Sequence, residues 1–394
     1  IWDKGILVTG YAETVAAKCI ECGQCTDECD FLIAYGKTPK ELADEALNTK
    51  FSDNPVLPYS CNICGYCQKL CPENLDLGLM IMEAREKLVS ERIGPLPGHQ
   101  PAIEGQEFYL SDNFRIISAG KGAKSCDAVF FPGCALSAYS PDLVQATYSY
   151  LKTQHANLGI ALGCCGGPSQ LIGKTEYANQ ITEQLEQDIK CLGASEIIVA
   201  CPYCYKRLSE RLTDLKPVSL YTVLSEAGAK FPEKGNSTYS IHDPCSARGQ
   251  PEIQDAVRSL ISKTGYTIDE QPHTRDNTHC CGMGGMVFLV NADVGAAKTE
   301  RTVRESLHDL VTYCATCRDI FSGQGKKCIH LLDLLFNENA AEQAAKVPNS
   351  PEVATSNLKV LNQWVRDLTK EIKHESVLPP LAGNLTEKIK NESK

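Results

Sequence analysis

The sequence predicts a multidomain chain of mixed α+β and α/β class: a mainly helical N-terminal domain, then two copies of one α/β domain. Three observations predict it. Two cysteine runs of one spacing lie within the first 71 residues. A second kind of cysteine set, spaced differently, then occurs twice. Around that second kind, short apolar stretches alternate with helical ones, in the same order both times.

Composition sets the outer limits. At 394 residues the chain is long enough for two or three domains with sizeable cores. A formal charge of −10 argues against nucleic acid or an anionic lipid surface as the main partner. No apolar stretch approaches the roughly 20 residues that span a bilayer, so the chain is not expected to be transmembrane itself. The start, Ile1-Trp2-Asp3-Lys4, has no basic region and no long apolar run, so no secretory signal is expected there. The 21 cysteines are an odd number, and their repeats suit metal chelation better than loop stapling. A reducing, cytoplasmic compartment follows, with a partner subunit able to hold the chain at the inner face of a membrane.

Residues 1–97 form the first expected domain. It carries Cys19-x2-Cys22-x2-Cys25-x3-Cys29 and Cys61-x2-Cys64-x2-Cys67-x3-Cys71-Pro72. Each run should be a loop that enters a helix. From Leu77 to Arg92, Leu79, Ile81, Met82, Ala84, Leu88 and Val89 recur at helical spacing. Gly94-Pro95-Leu96-Pro97-Gly98 stops that helix, and residues 98–124 read as a linker.

Residues 125–230 and 231–336 form the repeated α/β domains. In the first, Asp127–Phe131 is a strand before Cys134, and Pro141 opens a helix to about Thr153. Gly159–Leu162 precedes Cys164-Cys165-Gly166-Gly167, a helix follows from about Glu176 to Leu192, and Glu196–Ala200 delivers Cys201 and Cys204. In the second, Ser237–His242 precedes Cys245, and Pro251–Ser262 is helical. The Cys280-Cys281-Gly282 turn precedes a helix from about Ala292 to Leu307, and Asp309–Tyr313 leads to Cys314 and Cys317. Matching cysteines stand 111 (134 to 245), 116 (165 to 281) and 113 (204 to 317) positions apart, which implies a pseudo-twofold pair. In the tail, residues 337–394, Leu361, Trp364, Val365, Leu368 and Ile372 make an apolar helical stripe behind Ser356/Asn357 as N-cap. That stripe either packs on its own protein or docks a partner subunit.

The first kind of run points to iron–sulfur chemistry. Three thiolates of Cys-x2-Cys-x2-Cys sit on one tight loop, and in two-cluster ferredoxins the fourth cysteine serves the other cluster. That assigns Cys19, Cys22, Cys25 and Cys71 to one cubane [4Fe–4S] cluster, and Cys61, Cys64, Cys67 and Cys29 to another. The N-terminal segment is therefore a two-[4Fe–4S] ferredoxin-like domain, a one-electron relay. A pair of zinc sites would leave the third and fourth cysteines of each run unexplained. Asp30 stands where proline usually follows the fourth cysteine.

The second kind of set has five cysteines, two of them adjacent: Cys134, Cys164, Cys165, Cys201, Cys204, and Cys245, Cys280, Cys281, Cys314, Cys317. Adjacent side chains do not easily both enter a cubane. They can straddle a larger, opened cluster in which one sulfur bridges irons. Both repeats resemble the Cys-Cys-Gly domains of heterodisulfide reductase. The whole layout, over roughly residues 10 to 336, resembles the D-type polypeptide of that family, in which the C-type and B-type polypeptides are fused. The iron–sulfur subunit of glycolate oxidase and the C-type polypeptide of anaerobic glycerol-3-phosphate dehydrogenase share this layout.

The resemblance implies a noncubane [4Fe–4S] cluster on each five-cysteine set, with a small-molecule disulfide docked between the two clusters. Each would deliver one electron and capture one thiolate, its iron acting as Lewis acid. The gap from Cys134 to Cys164 has 29 intervening residues, short for that family, so one noncubane cluster plus another metal site is the fallback. The layout equally suits an electron-transfer subunit of a flavin dehydrogenase, of glycolate, lactate or glycerol-3-phosphate type, passing electrons toward quinone.

The remaining candidates are weaker signals. Gly166, Gly167, Gly282, Gly284 and Gly285 would let backbone approach a cluster and donate N–H groups to sulfur, or serve only as turns. His279 and His242 are proton-donor candidates, and equally ordinary packing residues. Lys174 and Arg248 could meet a substrate anion. Cys126, Cys191 and Cys328 match no motif and read as buried small apolar residues. No Gly-x-Gly-x-x-Gly follows a strand, so no flavin or NAD site is visible, and electrons must come from a flavoprotein, a b-type cytochrome or a ferredoxin.

Overall fold

The computed structural model describes residues 10–228, 231 and 235–369. Residues 1–4 and Ile372 of the tail stripe lie outside them. The N-terminal domain is helical, as its composition predicts. Helices Tyr11–Lys18, Pro39–Leu47 and Leu77–Ser90 close on Val15, Phe31, Leu32, Leu42, Met80 and Ile81. Thr38 and Glu41 form a reciprocal capping box on the second helix, and Asp76 caps the third by accepting from the Gly78 N–H at 2.8 Å. The two cysteine runs share one local shape. Glu21 and Gly23 in the first, and Ile63 and Gly65 in the second, all have left-handed φ between 50° and 81°. Each loop then enters a short helix, Gln24–Asp27 or Tyr66–Leu70. Paired left-handed residues curl the loop so that its sulfurs converge on one side.

Residues 98–124 hold more than a connection. Helix Gln100–Leu110 forms there, and strand β1 (Ile116–Ser118) pairs antiparallel with β3 (Leu158–Leu162). Ile116 and Ile117 gain burial from the sheet beside them, a gain that the Gly/Pro-rich start of the segment does not foreshadow.

The α/β repeat is present in both copies. The first sheet, with β2 (Ala128–Phe131), β4 (Glu196–Val199) and β5 (Lys216–Ser219), runs β1-β3-β2-β4-β5. The second, with β6 (Thr238–His242), β7 (Thr267–Glu270), β8 (Leu310–Thr312) and β9 (Cys328–His330), runs β7-β6-β8-β9. Leaving out β1, the orders are the same, and every pair in them is parallel. Within each unit the order reverses between its first and third strands. A doubly wound sheet opens a crevice at that point, beyond the carboxyl ends of the strands. Cys134 and Cys201 follow β2 and β4, and Cys245 and Cys314 follow β6 and β8, so each unit's cysteines gather at its crevice.

The two units share one core. Phe130, Ile160 and Ile198 of the first meet Tyr239, Ile241, Val311 and Ile329 of the second in a continuous apolar cluster. The tail adds to it. Helix Pro351–Thr369 buries Leu358, Leu361 and Val365, and Trp364 meets Tyr148 edge-on with centroids 5.5 Å apart. Of the two readings of the stripe, packing on its own protein is the one observed. The helix begins at Pro351, so Ser356 and Asn357 lie inside it and are not its cap. Asn357 instead donates to the Ala138 carbonyl at 2.8 Å.

Candidate metal centres

All 21 cysteines are free thiols. The eight of the first kind line two neighbouring cavities. One is lined by Cys19, Cys22, Cys25, Cys67 and Cys71. The other is lined by Cys25, Cys29, Cys61, Cys64 and Cys67. Each cavity thus draws sulfurs from both runs, three from one and two from the other. Burial pushes the Cys25 thiol up to about 11 and Cys61 up to about 12. Thiols so buried do not ionise unaided, and a cationic iron core compensates them, so the donor sets fit iron–sulfur clusters. Cys22 is the exposed member, which places the first cavity nearer solvent.

The ten cysteines of the second kind meet in one place. In the first domain the interacting thiols follow the order Cys134–Cys164–Cys165–Cys204–Cys201. In the second the order is Cys245–Cys280–Cys281–Cys317–Cys314. The two halves meet at Cys201 and Cys314, whose buried thiols interact. Within the first half, the Cys165 and Cys204 sulfurs stand 3.3 Å apart. The sequence of contacts reads the same from either end, as a pseudo-twofold axis through the Cys201–Cys314 contact requires. A single cavity of about 160 Å³ opens on both sets. Cys134, Cys165, Cys201, Cys204, Cys245, Cys281, Cys314 and Cys317 line it, while Cys164 and Cys280 sit behind. Its other walls are mainly apolar, with Leu171, Met283 and Met286, and no charged residue of the described chain lines it. The hydroxyl residues there, Tyr203, Ser246 and Thr316, were missed by sequence reasoning. The signal was present, since Tyr203 and Thr316 occupy matching positions inside the two Cys-x2-Cys motifs.

The glycines divide by role. The Gly166 and Gly282 N–H groups donate to the Cys164 and Cys280 sulfurs at 3.3 and 3.4 Å. Gly284 allows a close approach, because a Cβ there would stand 2.5 Å from the Asn62 carbonyl oxygen and 2.8 Å from the Cys280 sulfur. Gly167 lines the cavity, and Gly285 turns with φ of 61° beside Arg85.

Neither histidine lines the cavity. His242 packs edge-on against Phe321 at 4.7 Å, and burial pulls it down to about 4. His279 lies between Tyr66 and His273, with no hydrogen bond at either ring nitrogen. Burial first, and then His273, Lys298 and Arg301, pull it down to about 2. Glu28, His273 and His279 bring three ligand atoms within 4.8 Å, but the positive field of Lys298 and Arg301 opposes a cation there. Arg248 is committed elsewhere. It donates to the Asp276 and Thr278 carbonyls and covers the Tyr66 ring at 5.1 Å. Lys174 also lies outside the cavity lining. Cys126 and Cys328 are buried as expected. Cys191 is exposed, because it caps the solvent end of helix Thr175–Lys190 rather than facing the sheet.

The N-terminal domain is fastened to both repeats by buried polar contacts. Arg85, fully buried, donates to the carbonyls of Pro58 and Cys61 in its own domain. It also donates to Leu171 of the first repeat at 2.6 Å and to Gly285 of the second at 3.0 Å. Asn62 donates to the Gly282 carbonyl at 2.7 Å, which sets the second cysteine run directly on the Cys280-Cys281-Gly282 loop. Asp30, in the place where proline is usual, pairs with Lys298 at 3.0 Å and Arg301 at 3.2 Å. A proline could make neither contact.

Known proteins share this layout. Residues 18–76 match the 4Fe-4S dicluster domain family, and residues 128–209 and 239–321 each match the cysteine-rich domain family. The D-type polypeptide of the dihydromethanophenazine:CoB–CoM heterodisulfide reductase of Methanosarcina barkeri is 24% identical, over 76% of this chain and 87% of its own length. Its counterpart in Methanosarcina acetivorans is 23% identical, over 78% and 88%. The B-type polypeptide of the fumarate reductase (CoM/CoB) of Methanothermobacter marburgensis is 24% identical, over 85% and 71%.

Proposed function

We propose that this chain, an iron–sulfur protein of the heterodisulfide reductase D-type layout with two Cys-Cys-Gly domains, carries electrons to a site where a disulfide is reduced to two thiols. The observation that carries the reading is the single cavity onto which both five-cysteine sets open, joined at Cys201 and Cys314. In this reading Cys19, Cys22, Cys25 and Cys71 hold one cubane [4Fe–4S] cluster, and Cys29, Cys61, Cys64 and Cys67 hold the other. Cys134, Cys164, Cys165, Cys201 and Cys204 hold one noncubane cluster, and Cys245, Cys280, Cys281, Cys314 and Cys317 hold its counterpart. When bound, the clusters supply one-electron carriers and, at the paired site, Lewis-acid iron.

The chain's own residues supply the rest. Leu171, Met283 and Met286 exclude water from the S–S bond. The backbone N–H groups of Gly166 and Gly282 hold the Cys164 and Cys280 sulfurs in place. Ser246 and Thr316 line the cavity as hydroxyl-bearing residues, so proton delivery to the released thiols is assigned to them ahead of His242 and His279, with Tyr203 beside them hydrogen-bonded to Gln170. The overall change is one disulfide, two electrons and two protons to two thiols. Cys22 faces solvent, which favours electron entry there from a flavoprotein, b-type cytochrome or ferredoxin partner. Among the described residues no helix is long and apolar enough to cross a membrane. The reading places the chain in the cytoplasm, with a partner subunit making any membrane contact.

The test is anaerobic turnover of the holoprotein with reduced viologen and a panel of disulfides. The expected result is two viologen radicals oxidised and two thiols released per disulfide cleaved. Absence of thiol release across the panel, with electron uptake from a flavin dehydrogenase toward quinone, would overturn it in favour of a dehydrogenase electron-transfer subunit.

A further inference from the structure

The two cysteine-lined cavities of the N-terminal domain differ in charge. The outer one, around Cys19, Cys22, Cys25 and Cys71, is lined by one acid, Glu21, and by no lysine, arginine or histidine among the described residues. The inner one, around Cys29, Cys61, Cys64 and Cys67, is lined by Lys298. That lysine comes from helix Ala292–Glu305 of the second α/β domain. It is 2% exposed, and its Nζ stands 3.0 Å from Asp30 Oδ2. The acid on the same wall, Glu28, is 39% exposed and pairs with Arg301 at 2.8 Å, so water and a guanidinium both screen it. Asp30 is itself divided between Lys298 and Arg301. A buried charge acts through a low local dielectric and is little weakened by salt, whereas Glu21 at the surface is weakened by both.

Reducing a cluster adds one negative charge to it. A fixed ammonium beside one cluster and none beside the other stabilises the reduced form of the first alone. We infer that Lys298 raises the reduction potential of the inner cluster above that of the outer one, so that electrons move inward toward the paired cysteine sets. The step is one electron leaving the outer cluster and entering the inner one, with no bond made or broken, and it occurs twice per disulfide. This rests on the reading that both cavities hold cubane clusters. Lys298 acts through the cluster and touches no substrate. A lysine that only docked the second repeat against Asp30 would leave the potentials alone.

The experiment is an anaerobic redox titration of the full-length holoprotein followed by EPR. Cys22→Ser, which alters only the outer set, identifies the outer signal. In the wild type the inner cluster should titrate at the higher potential. Lys298→Met should lower the inner potential and leave the outer one in place, Lys298→Arg should restore it, and Asp30→Asn should raise it. An inner potential at or below the outer one in the wild type overturns the inference whether or not Lys298→Met retains its clusters. So does an unchanged inner potential in a fully loaded Lys298→Met protein. Iron and sulfide too low for two cubanes in the wild type would instead sink the cluster reading beneath it.

Discussion

The buried thiols of Cys201 and Cys314 come together where the two α/β domains meet, and both line the shared cavity. They are equivalent residues, each the first cysteine of its Cys-x2-Cys and each just beyond the third parallel strand of its unit. Their contact joins ten thiols from two domains into one continuous site, and each residue belongs to a different half. Replacing either tests the halves separately. Cys201→Ser and Cys314→Ser should each lower iron content, leave the N-terminal clusters' EPR signals in place, and cut disulfide turnover by more than about 100-fold. Turnover within a few-fold of wild type in either variant would show that one set suffices.

Arg85 links all three domains through backbone carbonyls alone. Arg85→Met leaves the Pro58, Cys61, Leu171 and Gly285 carbonyls buried and unpartnered, at a cost of about 3–5 kcal/mol. Arg85→Lys should recover only part of this, since one ammonium cannot span four carbonyls on a fixed fork. Anaerobic denaturant unfolding measures both. A loss under about 1 kcal/mol for the methionine variant would mean that water takes over the carbonyls.

Gly284 is squeezed between a carbonyl oxygen and a sulfur. In Gly284→Ala the new methyl group meets Asn62 O at 2.5 Å and Cys280 Sγ at 2.8 Å, so backbone must move. The expected cost is about 2–3 kcal/mol, with iron lost from the second five-cysteine set before the first. Full iron content with unchanged stability would contradict the close approach.

Glu83 supplies the pH dependence. Its carboxylate accepts from the Tyr11 N–H at 3.0 Å, yet burial outweighs that bond and raises the group from 4.5 to about 7. A raised folded-state value favours the protonated form. Its contribution to stability is therefore complete below about pH 4.5 and is lost as pH rises through about 7. Glu83→Gln removes the titration, so it should gain on the wild type as pH rises from about 5 to about 8.5. The gain should be about 1 kcal/mol after allowance for solvent screening. Unfolding midpoints of both proteins at the two pH values check this, and a difference that stays constant would exclude Glu83 as the source.

Much of the fold was legible because its signals are local. Strands such as Glu196–Val199 are apolar runs, and helix Pro141–Gln154 announces itself with Ser140 and Pro141 at its start. Strands β1, β5, β7 and β9 were not read. They are short, carry polar residues such as Lys216 and Asp269, and owe their strand form to the neighbour each one pairs with. The tail stripe was visible as a helix, but its target was not. Tyr148 and Ala138, which receive it, stand far away in the chain, 216 positions before Trp364 and 219 before Asn357.

The same division holds at the candidate site. The sequence by itself determined the four cysteine groups and their duplication, because a loop that wraps a cluster must space its sulfurs within a few residues. The ferredoxin-type spacing also suggested crossed roles for Cys29 and Cys71. Only the tertiary structure decided that Cys201 meets Cys314, that Asn62 rests on the Cys280-Cys281-Gly282 loop, and that Lys298 is buried beside Cys29 and Cys64. Those contacts join segments 113, 220 and 268 positions apart, taking Asn62 to Gly282 and Asp30 to Lys298 as the spans. A lysine in a polar helix and an arginine in an amphipathic one look like solvent-facing charges in sequence. The packing of one domain on another removes the water and leaves the charge with a role.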